Sequence, residues 1–103
     1  MRVVFFLNTL HEHVSPADYE AWVREVDYPT ARSLPSIIEY TVVRVEGPLE
    51  GDDPVPYQYI ERVLISDLAA YRDDLKNPAL SEFSRQWSSH VASSTALHGG
   101  MIE

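Results

Sequence analysis

Asp27, Glu61 and His90 are the side chains of this 103-residue chain best placed by type and context to move protons. Asp27 lies in "VREVDYPTARSLPS", two residues before a proline that falls where a helix starting near Ser15 reaches its fourth turn. A proline break frees backbone carbonyls and can turn a neighbouring side chain off the helix face. A carboxylate partly removed from water there has a raised pKa and suits general acid or base work. The competing reading is structural, with Asp27 bonding N–H groups that the break releases. Glu61 falls in the middle of an apolar strand, on the face of Tyr57, Tyr59 and Val63. A charge there must pair, take a proton or meet water. An ion pair with Arg44, or a place at a subunit rim, would satisfy it without any chemistry. His90 follows Trp87 by three residues and Phe83 by seven, which puts the three on one helical face. Its imidazole exchanges protons near neutral pH; as a bland alternative it borders an aromatic stripe.

Five aromatic side chains are candidates for contact with a flat ligand: Tyr28, Tyr40, Tyr59, Phe83 and Trp87. The tyrosines offer hydroxyls as well as ring faces, and each also fits as core filler with its hydroxyl at a rim. His11, Glu12 and His13 suggest a metal, since alternate residues share a face in extended chain. No third ligand is spaced to complete a site and there is no cysteine, so a solvated loop is expected and no metal. Glycine-rich phosphate loops, dinucleotide fingerprints and nucleophile elbows are missing, so no cofactor is expected.

The balance of charge narrows the partners. Net charge is −8, with Lys76 the single lysine and the arginines scattered singly from Arg2 to Arg85. Neutralising phosphates requires a basic face, so neither nucleic acid nor an anionic membrane surface is an expected partner. Without cysteines there is no disulfide framework, and without a leader or long apolar run a cytoplasmic protein is expected. Residues 1–103 make one domain of ordinary size, with little surplus for a deep private cavity.

The elements that must carry these residues follow from the pattern. Arg2–Asn8 reads as a strand buried on both faces. Ser15 as N-cap, Pro16 at the first helical position and Asp18 in the first turn start a helix, secure to about Val26. Pro29 kinks or restarts it and biases Tyr28 towards extended backbone. Ile37–Glu46 and Tyr57–Ser66 make a long hairpin around an exposed loop rich in glycine, proline and acids. Ser66 caps a helix with Leu68, Tyr71 and Leu75 on its stripe. Asn77 and Pro78 restart it, with Leu80, Phe83, Trp87 and Val91 as the second stripe, and serines 88, 89, 93 and 94 weaken its end. A short final strand lies in "HGGMIE". The order β-α-β-β-α-(α)-β is a ferredoxin-like α+β plan with helices on one sheet face. Apolar residues occur at both strand parities: Tyr59 and Val63 point one way, Ile60 and Leu64 the other. Helices bury one set, and the same sheet in a second copy is the economical cover for the rest, giving a homodimer.

Three stretches, "YEAWVREVDYP", "YIERVLISDLAAYRDDL" and "FSRQW", resemble the REDY-like (HapK-type) family of the dimeric α+β barrel superfamily. More distantly, "WVREVDYPTARSLPSIIEY" resembles the EthD-like pattern, with Asp27 where that pattern has histidine and "LPS" for its "LPG" turn. The resemblance implies two sheets closing a shared barrel. It also implies a cofactor-free protein of pigment or alkaloid pathways of pyrrole or indole type, and a catalytic histidine near the cavity. Two functions follow. One is a cyclase or isomerase in which Asp27 and His90, helped by Glu61, move protons on a small aromatic substrate, with cofactor-free oxygenation as the fallback chemistry. The other is a non-catalytic protein that binds or chaperones a reactive hydrophobic intermediate. Convergence of Asp27, Glu61 and His90 would favour the first.

Overall fold

The computed structural model describes Met1–Glu103. Four strands, β1 (Arg2–Leu10), β2 (Ile37–Arg44), β3 (Tyr59–Ile65) and β4 (Val91–Gly100), form one antiparallel sheet in the order β2-β3-β1-β4. The most apolar strands, β1 and β3, take the centre, where both edges are paired. The helices α1 (Pro16–Trp22), α2 (Tyr28–Arg32), α3 (Leu68–Leu75) and α4 (Ser81–His90) lie on one face. This is the expected ferredoxin-like α+β fold. No helix is long and apolar enough to cross a membrane.

Period-two alternation decides what each strand offers the helices. Val4, Phe6, Asn8 and Leu10 of β1, Tyr40 and Val42 of β2, and Tyr59, Glu61, Val63 and Ile65 of β3 share the helix side, as their pairing register shows. Two clusters of buried apolar side chains form there. One gathers Val4, Ala31, Tyr40, Val63, Ile65 and Tyr71; the other gathers Leu10, Tyr19, Trp22, Val23, Tyr59 and Val91. Burying such side chains is worth roughly 1.5–3 kcal/mol each for the larger ones.

Local signals place the helices. Ser15 caps α1 as expected, its hydroxyl accepting from the Asp18 N–H at 3.1 Å. The cap of α3 is Asp67, whose carboxylate accepts from the Ala70 N–H, and not Ser66, whose N–H pairs with the Ser36 carbonyl instead. Asn77 caps the 3₁₀ turn Pro78–Leu80 that leads into α4.

Two expectations about the backbone need correcting. Tyr28 is helical (φ −57°, ψ −51°), not extended. Val23–Asp27 forms a π-helical turn in which the Tyr28 N–H reaches five residues back to the Val23 carbonyl. Pro29 crowds the turn before it and has no N–H to give. The wider π turn takes up that crowding, and the helix continues as α2. The serine-rich end is the second correction. Helix α4 stops at His90, and Val91–Gly100 is a ten-residue strand paired along the whole of β1 from Arg2↔Gly100 to Leu10↔Val91. Pairing with a central strand outweighs the weak local preferences of its serines and glycines.

Candidate active site

Three strands bring three polar side chains to one spot beneath the helices. Glu61 of β3 sits between Val42 of β2 and Phe6 of β1, so Tyr40 and Asn8, two residues along, are its diagonal neighbours. Long side chains span that distance. The Tyr40 hydroxyl lies 2.6 Å from Glu61 Oε1, Asn8 Nδ2 donates to Glu61 Oε2 at 2.5 Å, and Trp87 Nε1 donates to the same oxygen at 3.2 Å. From above, the π turn aims Asp27 at the same phenol, its two carboxyl oxygens 2.9 and 2.8 Å from the Tyr40 hydroxyl. Asp27 is wholly buried and Glu61 only 5 % exposed.

Counting hydrogens fixes the state of this trio. A phenol has one hydrogen and can give it to one carboxylate. Its other close contact is satisfied only when a protonated carboxyl donates to the phenol oxygen. One proton is therefore shared across Asp27, Tyr40 and Glu61. Glu61 has three donors and holds a negative charge better, whereas Asp27 has Tyr40 alone, so the proton rests on Asp27. Burial, and next the charge of Glu61, push Asp27 up to about 7, with the Tyr40 hydrogen bond pulling back. Burial also raises Glu61, opposed by its bonds from Tyr40, Asn8 and Trp87. Tyr40 is raised by burial and then by the two carboxylates, so it stays a neutral relay. Two carboxyls whose surroundings differ in this way are suited to an acid and a base.

The trio forms part of the wall of a cavity of about 340 Å³ between sheet and helices. Phe6, Ala31, Leu34, Ile37, Tyr71, Leu75, Leu80, Phe83 and Trp87 supply its apolar lining, and Thr30, Ser84 and Ser88 its remaining polar groups. A small fused-ring molecule fits a space of this size and character.

Of the side chains singled out from the sequence, Asp27, Glu61, Tyr40, Phe83 and Trp87 meet at this cavity. Asp27 makes no cap to the backbone and turns to the Tyr40 hydroxyl instead. Glu61 has no ion pair with Arg44, whose guanidinium clasps Glu20 instead. His90 does not line the cavity. It stacks on Trp22 with ring centroids 5.0 Å apart, and its Nδ1 lies 2.7 Å from the Gln86 carbonyl oxygen. Three residues put it about 60° round the helix from Trp87, far enough to face α1. Tyr59 donates to Glu20 at 2.7 Å and Tyr28 accepts from the Val42 N–H at 3.1 Å, both outside the lining. The Tyr28 ring instead braces Tyr40 edge-on at 5.8 Å, under the Arg32 guanidinium. His11 donates to or accepts from no carboxylate; its Nε2 meets the Ser88 carbonyl. Asn8 and Tyr71 were not anticipated. Asn8 was readable as the polar side chain inside the strand at the parity of Val4 and Phe6, whereas Tyr71 looked like ordinary helix stripe.

Residues 2–102 match the family described as REDY-like protein HapK. A comparison with curated protein sequences found no match. Among solved structures, HapK from Hahella chejuensis is 26% identical with a TM-score of 0.82, covering 99% of this chain and 93% of that one. SnoaB from Streptomyces nogalater, a cofactor-independent oxygenase, is 18% identical with a TM-score of 0.74, covering 99% and 94%. A dimeric ferredoxin-like protein of unknown function from Thermobifida fusca is 14% identical with a TM-score of 0.73, covering 97% and 90%. The latter two likenesses concern the fold. With sequence, fold and near-complete coverage in agreement, the chain belongs to the REDY-like HapK family.

Proposed function

We propose that this protein is a cofactor-independent enzyme of cyclase or isomerase type. It moves protons on an aromatic, indole- or pyrrole-type intermediate of alkaloid or pigment metabolism, and works as a cytoplasmic homodimer. The observation that carries this reading is the pair of buried carboxyls joined through one phenol at the wall of an apolar cavity. The flat substrate lies against Trp87 and Phe83. Glu61, as carboxylate, takes a proton from one substrate atom while the Asp27 carboxylic acid gives one to another. Glu61 then passes its proton to the Tyr40 oxygen as Tyr40 gives its own to Asp27. The enzyme ends as it began, and the substrate has exchanged one C–H or N–H position for another. His90, outside the lining, is left to brace Trp22.

Proton transfer asks for no redox group, and the cofactor-free description of SnoaB shows that a protein of this fold can act without one. Metal analysis and the visible spectrum of the purified protein should show neither stoichiometric metal nor a flavin band; either would end the cofactor-free reading. The enzymatic reading is tested with indole- and pyrrole-type compounds incubated with the protein in D₂O. Deuterium should enter the ligand, and Glu61→Gln should stop it. The alternative, a non-catalytic binding or chaperone protein, draws support from the same apolar lining. Ligand bound without exchange or product would favour it.

A further inference from the structure

The cavity wall that carries Asp27 and Glu61 contains no arginine, lysine or histidine. The nearest basic groups are occupied elsewhere. Arg32 lies over the Tyr28 ring and donates to the Tyr40 carbonyl, Arg44 clasps Glu20, and His90 stacks on Trp22. One shared proton leaves the Asp27–Tyr40–Glu61 trio with a net negative charge and no cation to answer it. Four further aromatic side chains, Phe6, Tyr71, Phe83 and Trp87, line the same cavity. Ring faces attract cations through their quadrupole, most strongly where water is excluded. An anion entering the same space would lose its hydration, find no partner and face Glu61.

We infer that this cavity selects a flat aromatic ligand bearing a positively charged nitrogen, an ammonium or an iminium, and rejects carboxylates and phosphates of the same shape. The nitrogen supplies the counter-charge that the fold withholds, and the rings hold the aromatic part. This rests on the reading of the cavity as the ligand site, and it adds to the proposed function the charge that its intermediate carries. A cyclisation or isomerisation that passes through an iminium would have its positive charge met by Glu61 and the surrounding rings at the point where it develops.

Three ligands with one ring system test it by titration calorimetry at neutral pH: tryptamine as the cation, tryptophol as the neutral form and indoleacetate as the anion. Tryptamine should bind ~10-fold or more tightly than tryptophol, and indoleacetate should give no binding, as expected for one uncompensated charge in a partly desolvated site. Glu61→Gln should keep tryptophol binding while bringing tryptamine level with it. Asp27→Asn, which leaves the Glu61 charge in place, should preserve the order and serves if the first variant does not fold. Indoleacetate binding as tightly as tryptamine, a preference that survives Glu61→Gln, or binding of none of the three would overturn the inference. The outcomes separate from those of the exchange experiment. Charge selection without deuterium exchange leaves a cation-binding protein, and exchange without charge selection leaves an enzyme whose ligand is not chosen by charge.

Discussion

Replacing Asp27 with asparagine copies the protonated acid, because the amide nitrogen can donate to the Tyr40 oxygen as the carboxylic acid does. The melting temperature should match the wild type's near pH 4 and exceed it towards pH 7, while turnover falls by ~10²-fold or more, the usual loss for a removed general acid. Wild-type turnover in this variant would reduce Asp27 to architecture. The same residue sets a pH dependence of stability. Burial, with Glu61 next, raises Asp27 from 3.8 to about 7 in the folded chain, so the folded state holds a proton that the unfolded chain has already released. Stability from this group is complete below pH 3.8 and falls as pH rises through about 7, by ~4 kcal/mol in all. Glu61 is raised in the same sense. The main opposing carboxylates, Glu20 and Glu82, are lowered to about 2 chiefly by hydrogen bonds from Arg44 and Arg85, so they act below the window in which Asp27 titrates. Urea unfolding across that window should show a falling stability in the wild type and a flatter one in Asp27→Asn. Equal slopes would place the shared proton elsewhere.

At the scale of elements, the aim of Asp27 is set by the π turn, which contains one residue more than an α turn over the same length. Glu25 is the exposed, unpaired member of that turn. Deleting it should let the segment close as ordinary helix, with helical content by circular dichroism unchanged. Asp27 should then no longer meet Tyr40, and turnover should fall as far as in Asp27→Asn. Undiminished turnover would show that the turn does not aim the carboxyl. This feature was only half legible in the sequence. Pro29 announced a disturbance, and the packed stripe from Tyr19 to Val26 announced a helix on either side of the question. Whether the chain would break, cap or widen depended on what lay beneath, and Tyr40 is supplied by a strand eight residues long that pairs elsewhere. Strand alternation carried further. It grouped Glu61 with Tyr59 and Val63 on one face, but which face met the helices was not legible, because apolar residues occur at both parities. The last strand was illegible for the opposite reason. Val91–Gly100 holds little local preference for a strand, and β1, already rich in it, imposes the pairing.

For the whole molecule, the open question is what covers the helix-free face of the sheet. Phe5, Leu7, Val43, Ile60, Leu64 and Leu97 share that face by register, and no element of the chain lies over it. Val43 near one edge and Leu97 near the other are 46 and 47 % exposed. Arg62 stands among them, paired with Glu39 at 3.3 Å, and apolar side chains around a single ion pair mark an interaction surface. A second copy supplies a matching face, and a two-fold axis pairs like with like. The two exposed positions make a clean test. In a monomer whose sheet faces water, Val43→Asp and Leu97→Asp change stability by no more than ~0.5 kcal/mol, as surface substitutions do. In a dimer each places two buried charges, one per copy, in an apolar interface without partners, a loss of several kcal/mol. The double variant should therefore leave the dimer peak in sedimentation and appear as aggregate or unfolded chain, because the face it uncovers is too apolar to stay in water. A wild-type protein that sediments as a folded monomer at micromolar concentration, or a double variant as stable as the parent, would show that this face needs no partner.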